Sequence, residues 1–187
     1  MLNGAIFASG NGSNFQAIVD ASKESLININ IKLLICNNEE AYVINRALDA
    51  DIDIIVVDYK KYPAHEIERM LLVKLKEYKI DYIFLAGYLR LLTSTLINKY
   101  PNKILNIHPS LLPKYKGLNA IEQAIKNKDE VIGVTVHYVD ELLDNGQIII
   151  QDSIDVSKMN TAEIYENIHQ LEHKLYLEAI NKVLEGL

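Results

Sequence analysis

A single cysteine, Cys36, stands in 187 residues, so no intrachain disulfide can form and no second thiol is present to share a zinc site. It ends the apolar run Leu33-Leu34-Ile35 and is expected as a buried thiol at a strand end. Positive charge is the minority sign, Lys+Arg 19 against Asp+Glu 25, for a net charge of −6. Such a chain has no field to draw in a nucleic-acid backbone, so an anionic ligand must be held by local geometry. No basic residue precedes Lys23, and the positive start of a signal peptide is missing. No apolar run approaches the ~18 residues of a membrane span; the longest candidate, Tyr82 to Leu92, contains Arg90. The expectation is a soluble, cytoplasmic protein with no membrane or nucleic-acid partner. Low-complexity linkers, internal repeats and charged tails are also lacking, and the length fits one domain at roughly 100–200 residues per domain. Hydrophobic residues at 49% and charged residues at 24% exclude intrinsic disorder and collagen-like sequence.

What is present is an alternation of apolar runs and helical patterns. Strands are predicted at Gly4 to Ala8, Ile31 to Cys36, Asp53 to Val57 and Tyr82 to Ala86. Helices are predicted between them: Asn14 to Lys23, Ala41 to Ala50 and His65 to Tyr78, the last with Ile67, Met70, Leu71, Val73 and Leu75 as its apolar side. Strands that are apolar throughout read as buried on both faces. The fold class is therefore α/β, a single domain over residues 1–187 with a mostly parallel, Rossmann-like sheet and helices on both faces. A strand at Ile104 to His108 leads into a proline-rich loop, Pro109 to Gly117, and a short helix, Ala120 to Lys126. Strands at Ile132 to Val139 and Gln147 to Val156 follow, and a long C-terminal helix runs from Thr161 to Leu187.

Three stretches carry chemistry. Ser9-Gly10-Asn11-Gly12-Ser13-Asn14 joins the first strand to a helix start, where free N–H groups and the positive end of the helix dipole hold a phosphate without a cationic side chain. It is no P-loop, since no Gly-Lys-Ser/Thr follows. It is also not a dinucleotide fingerprint, because Phe15 takes the place of the third glycine and Cys36-Asn37-Asn38 lacks the acid after strand two. The alternative is a tight turn with Ser13 or Asn14 as the helix cap. In Asn106-Ile107-His108 the first and third side chains point one way from a strand, at the C-terminal end where open α/β sheets bind ligands. Asn106 offers N–H donors to an oxyanion and His108 moves protons near neutral pH. Asp144, in a turn ending Asn145-Gly146, would favour an imidazolium if it reached His108; sequence alone leaves that meeting open, and capping of the turn is the competing role. His137 completes the set with the i, i+4 pair His169 and His173, for which no third metal ligand is evident; no metal is expected. Gly87 to Leu92 either walls a pocket for a flat aromatic ligand or packs on the sheet.

Taken together these stretches resemble the phosphoribosylglycinamide formyltransferases of purine biosynthesis. The resemblance rests on Ser9 to Asn14 with Gln16-Ala17-Ile18, Leu85 to Leu92, Leu105 to Pro113, Gly133 to Val139 and Asp144-Asn145-Gly146. It covers nearly the whole chain in order. It implies transfer of a formyl group from 10-formyltetrahydrofolate, as co-substrate, to the amine of glycinamide ribonucleotide. By that resemblance residues 1–100 form a phosphate-binding half and 101–187 a catalytic and folate-cleft half. Gly12, Ser13 and Asn14 hold the substrate phosphate. Leu89, Arg90, Leu91 and Leu92, together with Asn106, Asp140, Glu141, Leu142, Leu143 and Asp144, line the folate site. His108 donates the proton, Asn106 steadies the tetrahedral intermediate and Asp144 supports His108. Glu172 and His169 are implied at the glycinamide end. The partners are small molecules, and the chain acts as a monomer or homodimer.

Two departures stand out. Asn119 occupies a position where the family usually has His, and Tyr59 to Ala64 offers only Lys60 or Lys61 for an arginine common after strand three. The rivals are a deformylase or another formyltransferase, which usually carry a further domain, and a noncatalytic phosphate-binding module.

Overall fold

The computed structural model describes residues 1–186, which divide into two compact units, one over Met1–Leu105 and one from Asn106 onward. In the first unit the elements alternate as expected: β1 (Leu2–Ala8), α1 (Ser13–Lys23), β2 (Ile29–Cys36), α2 (Val43–Asp49), β3 (Asp53–Val56), α3 (Ala64–Glu77), β4 (Tyr82–Leu85) and α4 (Ser94–Ile97). The strands order β3-β2-β1-β4. All three pairings are parallel, with Ile6 opposite Leu34 and Phe84, and Cys36 opposite Val56. Parallel neighbours need crossovers, and crossovers are right-handed. The chain steps outward through α1 and α2, then reverses past β1 through α3, which puts α3 on the opposite face. Helices thus cover both faces.

Burial follows from that placement. Ala5, Ile6, Phe7, Leu33, Leu34, Ile35, Cys36 and Ile83 are fully buried, each large apolar side chain contributing about 1.5–3 kcal/mol. The third strand differs from expectation: it forms one end of this order, and Asp53 and Val56 are exposed. The predicted apolar side of α3 is also corrected. Ile67, Leu71 and Leu75, spaced four apart, form the buried stripe, while Met70 and Val73 are 49% and 58% exposed. A helix on one sheet face buries a single stripe, and these two side chains lie off it.

The unit boundary falls inside β5 (Ile104–His108). The second unit continues with α5 (Ala120–Lys126), β6 (Val131–Tyr138), β7 (Ile148–Asp155) and α6 (Thr161–Glu185). β6 and β7 pair antiparallel, with an irregularity between Val136 and His137. α6 packs on both strands through Ile164, Ile168, Leu171, Leu175, Tyr176, Ala179 and Ile180. It starts with a capping box: Asn160 accepts from the Glu163 amide and Glu163 accepts from the Asn160 amide. The helix ends at Glu185, and Leu187, the predicted end, lies outside the described residues. Among the described residues no helix is long and apolar enough to cross a membrane.

Candidate active site

The period of β5 aims Asn106 and His108 to one side, with Ile107 buried on the other. Asp144 reaches them from the β6–β7 connection. That connection is drawn tight at Gly146, where a Cβ would stand 1.7 Å from the Tyr138 carbonyl oxygen. Only glycine fits there, and the turn folds back with Asp144 at φ 46. His108 Nδ1 faces Asp144 Oδ2 at 3.4 Å, both side chains being buried. Nε2 of His108 donates to the Tyr115 carbonyl at 2.7 Å. Each ring nitrogen therefore has an oxygen before it, an arrangement that a ring carrying two N–H donors satisfies.

Asp144 is the hub. Its Oδ2 accepts the Gly117 amide at 2.7 Å, and its Oδ1 lies 3.4 Å from Asn106 Nδ2 and 3.6 Å from His137 Nε2. Burial pushes this carboxyl up. Its hydrogen bonding with His137, the Gly117 amide and the charge of His108 outweigh burial and hold it below the usual aspartate value. The carboxylate is ionised at neutral pH.

His137 is the residue the sequence passed over. Its Nδ1 donates to the Tyr138 carbonyl at 2.8 Å, and its Nε2 lies 3.1 Å from Asn106 Nδ2. The available signal was Thr135 and His137 alternating with Val134 and Val136, two polar side chains on one side of an apolar strand. Both are buried. The amide hydrogens of Asn106, expected to face an oxyanion, are directed at His137 and Asp144. Asp140 holds the same connection, accepting the Leu142 amide at 2.9 Å, while Glu141, Leu142 and Leu143 are exposed.

In the first unit, the glycine loop makes a bare helix start. Gly12 caps α1 at φ 80 with no side-chain cap, so neither Ser13 nor Asn14 fills that role. A Cβ at Gly12 would lie 2.4 Å from Val43 Cγ2. The first helical bond runs from the Gln16 amide to the Gly12 carbonyl at 2.9 Å, leaving the amides of Ser13, Asn14 and Phe15 without an intrahelical acceptor. The buried Oδ1 of Asn14 has no hydrogen-bond partner. Arg46 braces the loop from α2: its Nε donates to the Asn11 carbonyl at 2.9 Å and its Nη2 to Asn11 Oδ1 at 3.0 Å.

The segment after β4 packs on the sheet at one residue and is exposed at others. Tyr88 packs edge-on against Phe7 at 5.3 Å, whereas Leu89 and Leu91 are 64% and 66% exposed. Arg90 lies over the Tyr59 ring at 4.9 Å, and the Tyr59 and Tyr88 hydroxyls are 2.8 Å apart. Leu92 is half-buried. Lys61 pairs with Asp58 at 3.5 Å, while Asn119 is the exposed cap of α5.

On α6, Glu172 is buried and takes the exposed His169 at 2.7 Å, a hydrogen bond that raises His169 above its ordinary value against the effect of burial. Among the described residues no group of three or more His, Cys, Asp or Glu side chains could hold a metal ion.

Residues 2–180 match the formyl transferase family. The phosphoribosylglycinamide formyltransferase of Bacillus subtilis is 43% identical over 182 residues, covering 96% of this chain and 93% of that protein. A human trifunctional purine biosynthetic protein, adenosine-3, is 38% identical across 97% of this chain, which spans 18% of that longer protein. The crystal structure of glycinamide ribonucleotide transformylase 1 from Geobacillus kaustophilus superposes with a TM-score of 0.93 at 44% identity, over 98% of this chain and 99% of that one.

Proposed function

We propose residue roles for this chain, which belongs to the formyl transferase family and transfers a formyl group to glycinamide ribonucleotide in purine biosynthesis. The observation that carries them is the meeting of Asn106, His108 and Asp144, with His137 behind Asn106. The formyl donor of this family is a formyl folate, and 10-formyltetrahydrofolate is the form we assign.

The substrate amine attacks the formyl carbon, a C–N bond forms, and the carbonyl electrons move onto oxygen. Asn106 Nδ2 donates to that oxyanion; its 3.4 Å contact to Asp144 is long for a hydrogen bond and is readily exchanged. Collapse breaks the bond to the folate nitrogen, which leaves with a proton from His108 as the Nε2–H exchanges the Tyr115 carbonyl for that nitrogen, while the amine gives up its own proton to solvent. Asp144 stays ionised throughout and steadies the imidazolium. Proton transfer of this kind contributes about 10²–10⁴ in rate, and holding amine and formyl carbon together supplies more.

The free amides of Ser13 and Asn14 and the left-handed Gly12 suit the ribonucleotide phosphate, which the net charge of −6 would otherwise repel. In the second unit Asp140, Glu141, Leu142 and Leu143 are assigned to the folate alongside Asn106 and Asp144. In the first, Leu89 and Leu91, flanking Arg90 and followed by Leu92, offer apolar surface suited to a flat ring. Glu172, with His169, is assigned to the glycinamide end. No metal takes part in this scheme. The acidic charge and single cysteine fit a cytoplasmic enzyme of small molecules, a monomer or homodimer with no nucleic-acid or membrane partner.

Incubating the protein with both substrates and reading the product by mass spectrometry tests the scheme. A formylated ribonucleotide is expected. Formate released without acceptor would favour a deformylase, and binding without turnover a noncatalytic module.

A further inference from the structure

Residues 115–117 touch both halves of the catalytic pair. The Tyr115 carbonyl accepts a hydrogen bond from His108 Nε2 at 2.7 Å, and the Gly117 amide donates to Asp144 Oδ2 at 2.7 Å. Both residues are left-handed, Tyr115 at φ 54 and Gly117 at φ 82. Glycine adopts that backbone freely, but tyrosine does not, because its Cβ crowds the carbonyl. Something outside the turn must therefore hold Tyr115.

Its phenol is held twice. The hydroxyl donates to Asp129 Oδ2 at 3.0 Å and accepts from Asn127 Nδ2 at 2.8 Å, both in the segment that follows α5. The same Asp129 oxygen receives Lys114 Nζ at 2.8 Å. Lys114 first, and the Tyr115 hydroxyl after it, hold the Asp129 carboxyl below its usual value despite some burial. The Ser110 hydroxyl donates to the Lys114 carbonyl, tying the turn back to the strand end that carries His108.

We propose that Tyr115 and Asp129 form a latch that positions His108, although neither reacts with substrate. The phenol, gripped by Asp129, fixes the Tyr115 carbonyl, and that carbonyl holds the imidazole ring in place, with a proton on Nε2, until the proton passes to the leaving folate. The latch rests on the assignment of His108 as proton donor. It adds two positioning residues that lie outside the substrate contacts assigned above.

Tyr115→Phe keeps the carbonyl and loses the grip, while Asp129→Ala removes the grip from the other side. Each should lower kcat about tenfold with KM for both substrates unchanged, as a small misplacement of a reacting group does. The double variant should be no worse than either single, because both break one path. Asp129→Asn retains an acceptor oxygen and should keep most of the turnover. Proton NMR of the wild type should show a protected His108 Nε2–H resonance that shifts or broadens in Tyr115→Phe and Asp129→Ala. Wild-type kcat in both variants, a change confined to KM, or an unmoved His108 resonance overturns the latch. Absence of formylated product from the wild type would instead sink the functional reading, and the NMR comparison would still decide the latch.

Discussion

The carboxamide nitrogen of Asn106 lies 3.1 Å from Nε2 of His137, an imidazole whose Nδ1 is already committed to the Tyr138 carbonyl. A carbonyl only accepts, so Nδ1 carries a proton, and Nε2 is left facing both the Asn106 amide and the Asp144 carboxylate. His137 thereby sets which end of the amide faces the reaction.

Replacing His137 with Ala frees that amide to turn. Turnover should fall about tenfold, near the net worth of one hydrogen bond, with folding retained by thermal unfolding. Steady-state kcat at saturating substrates measures it, and an unchanged value would leave His137 without a part in the reaction.

His108→Ala removes the proton donor itself. The expected loss in kcat is about 10²–10⁴, with KM for either substrate little altered because the ring mainly serves the transition state. Single-turnover rates with enzyme in excess separate this chemical defect from slow product release. A loss confined to KM would move His108 from chemistry to binding.

Asp144→Asn keeps the shape and removes the charge. The folded carboxyl sits below its unfolded value of about 3.9, because its hydrogen bonding and the His108 charge outweigh burial. A depressed folded value means a stabilising contribution fully present above the unfolded pKa and lost as pH falls through the folded one. The variant should therefore be less stable than wild type at pH 7, with the gap closing below about pH 4. Its kcat at neutral pH should drop more than tenfold. Denaturant midpoints across that range provide the check, and a gap independent of pH would contradict the assignment.

Gly12→Ala tests the phosphate loop through its backbone. Alanine at φ 80 is strained, and its Cβ would meet Val43 Cγ2 at 2.4 Å. A loss of about 1–3 kcal/mol is expected for the backbone alone, together with a raised KM for the ribonucleotide. Full stability and unaltered KM would show that the loop tolerates a side chain and does not cradle the phosphate.

How far the sequence could be read depended on whether each signal was local. Asn106 and His108 were legible as a pair because strand alternation alone places them on one side. The alternation of buried strands with helices likewise revealed the α/β class. Asp144 was nameable, but its arrival depends on the squeeze of Gly146 against the Tyr138 carbonyl, which no nearby residue announces. His137 gave only its alternation with Thr135 in an otherwise apolar strand, which does not tell a site residue from a buried polar one. The short helix α4 also went unseen. Four residues show no periodicity, and part of its N-terminus is satisfied by Glu68 of α3, which accepts the Thr93 amide at 2.6 Å and the Leu96 amide at 3.1 Å. Met70 and Val73 were misread because apolar character in α3 is wider than the stripe the sheet covers.

Cys36 offers a practical consequence. Fully buried, and with its thiol pushed up by that burial, it presents almost no thiolate to an alkylating reagent at neutral pH. A cysteine introduced at an exposed position such as Leu142 would then be the one sulfur that takes up a maleimide dye. Fluorescence could follow the Asp140–Asp144 connection during turnover in a protein that keeps its native thiol.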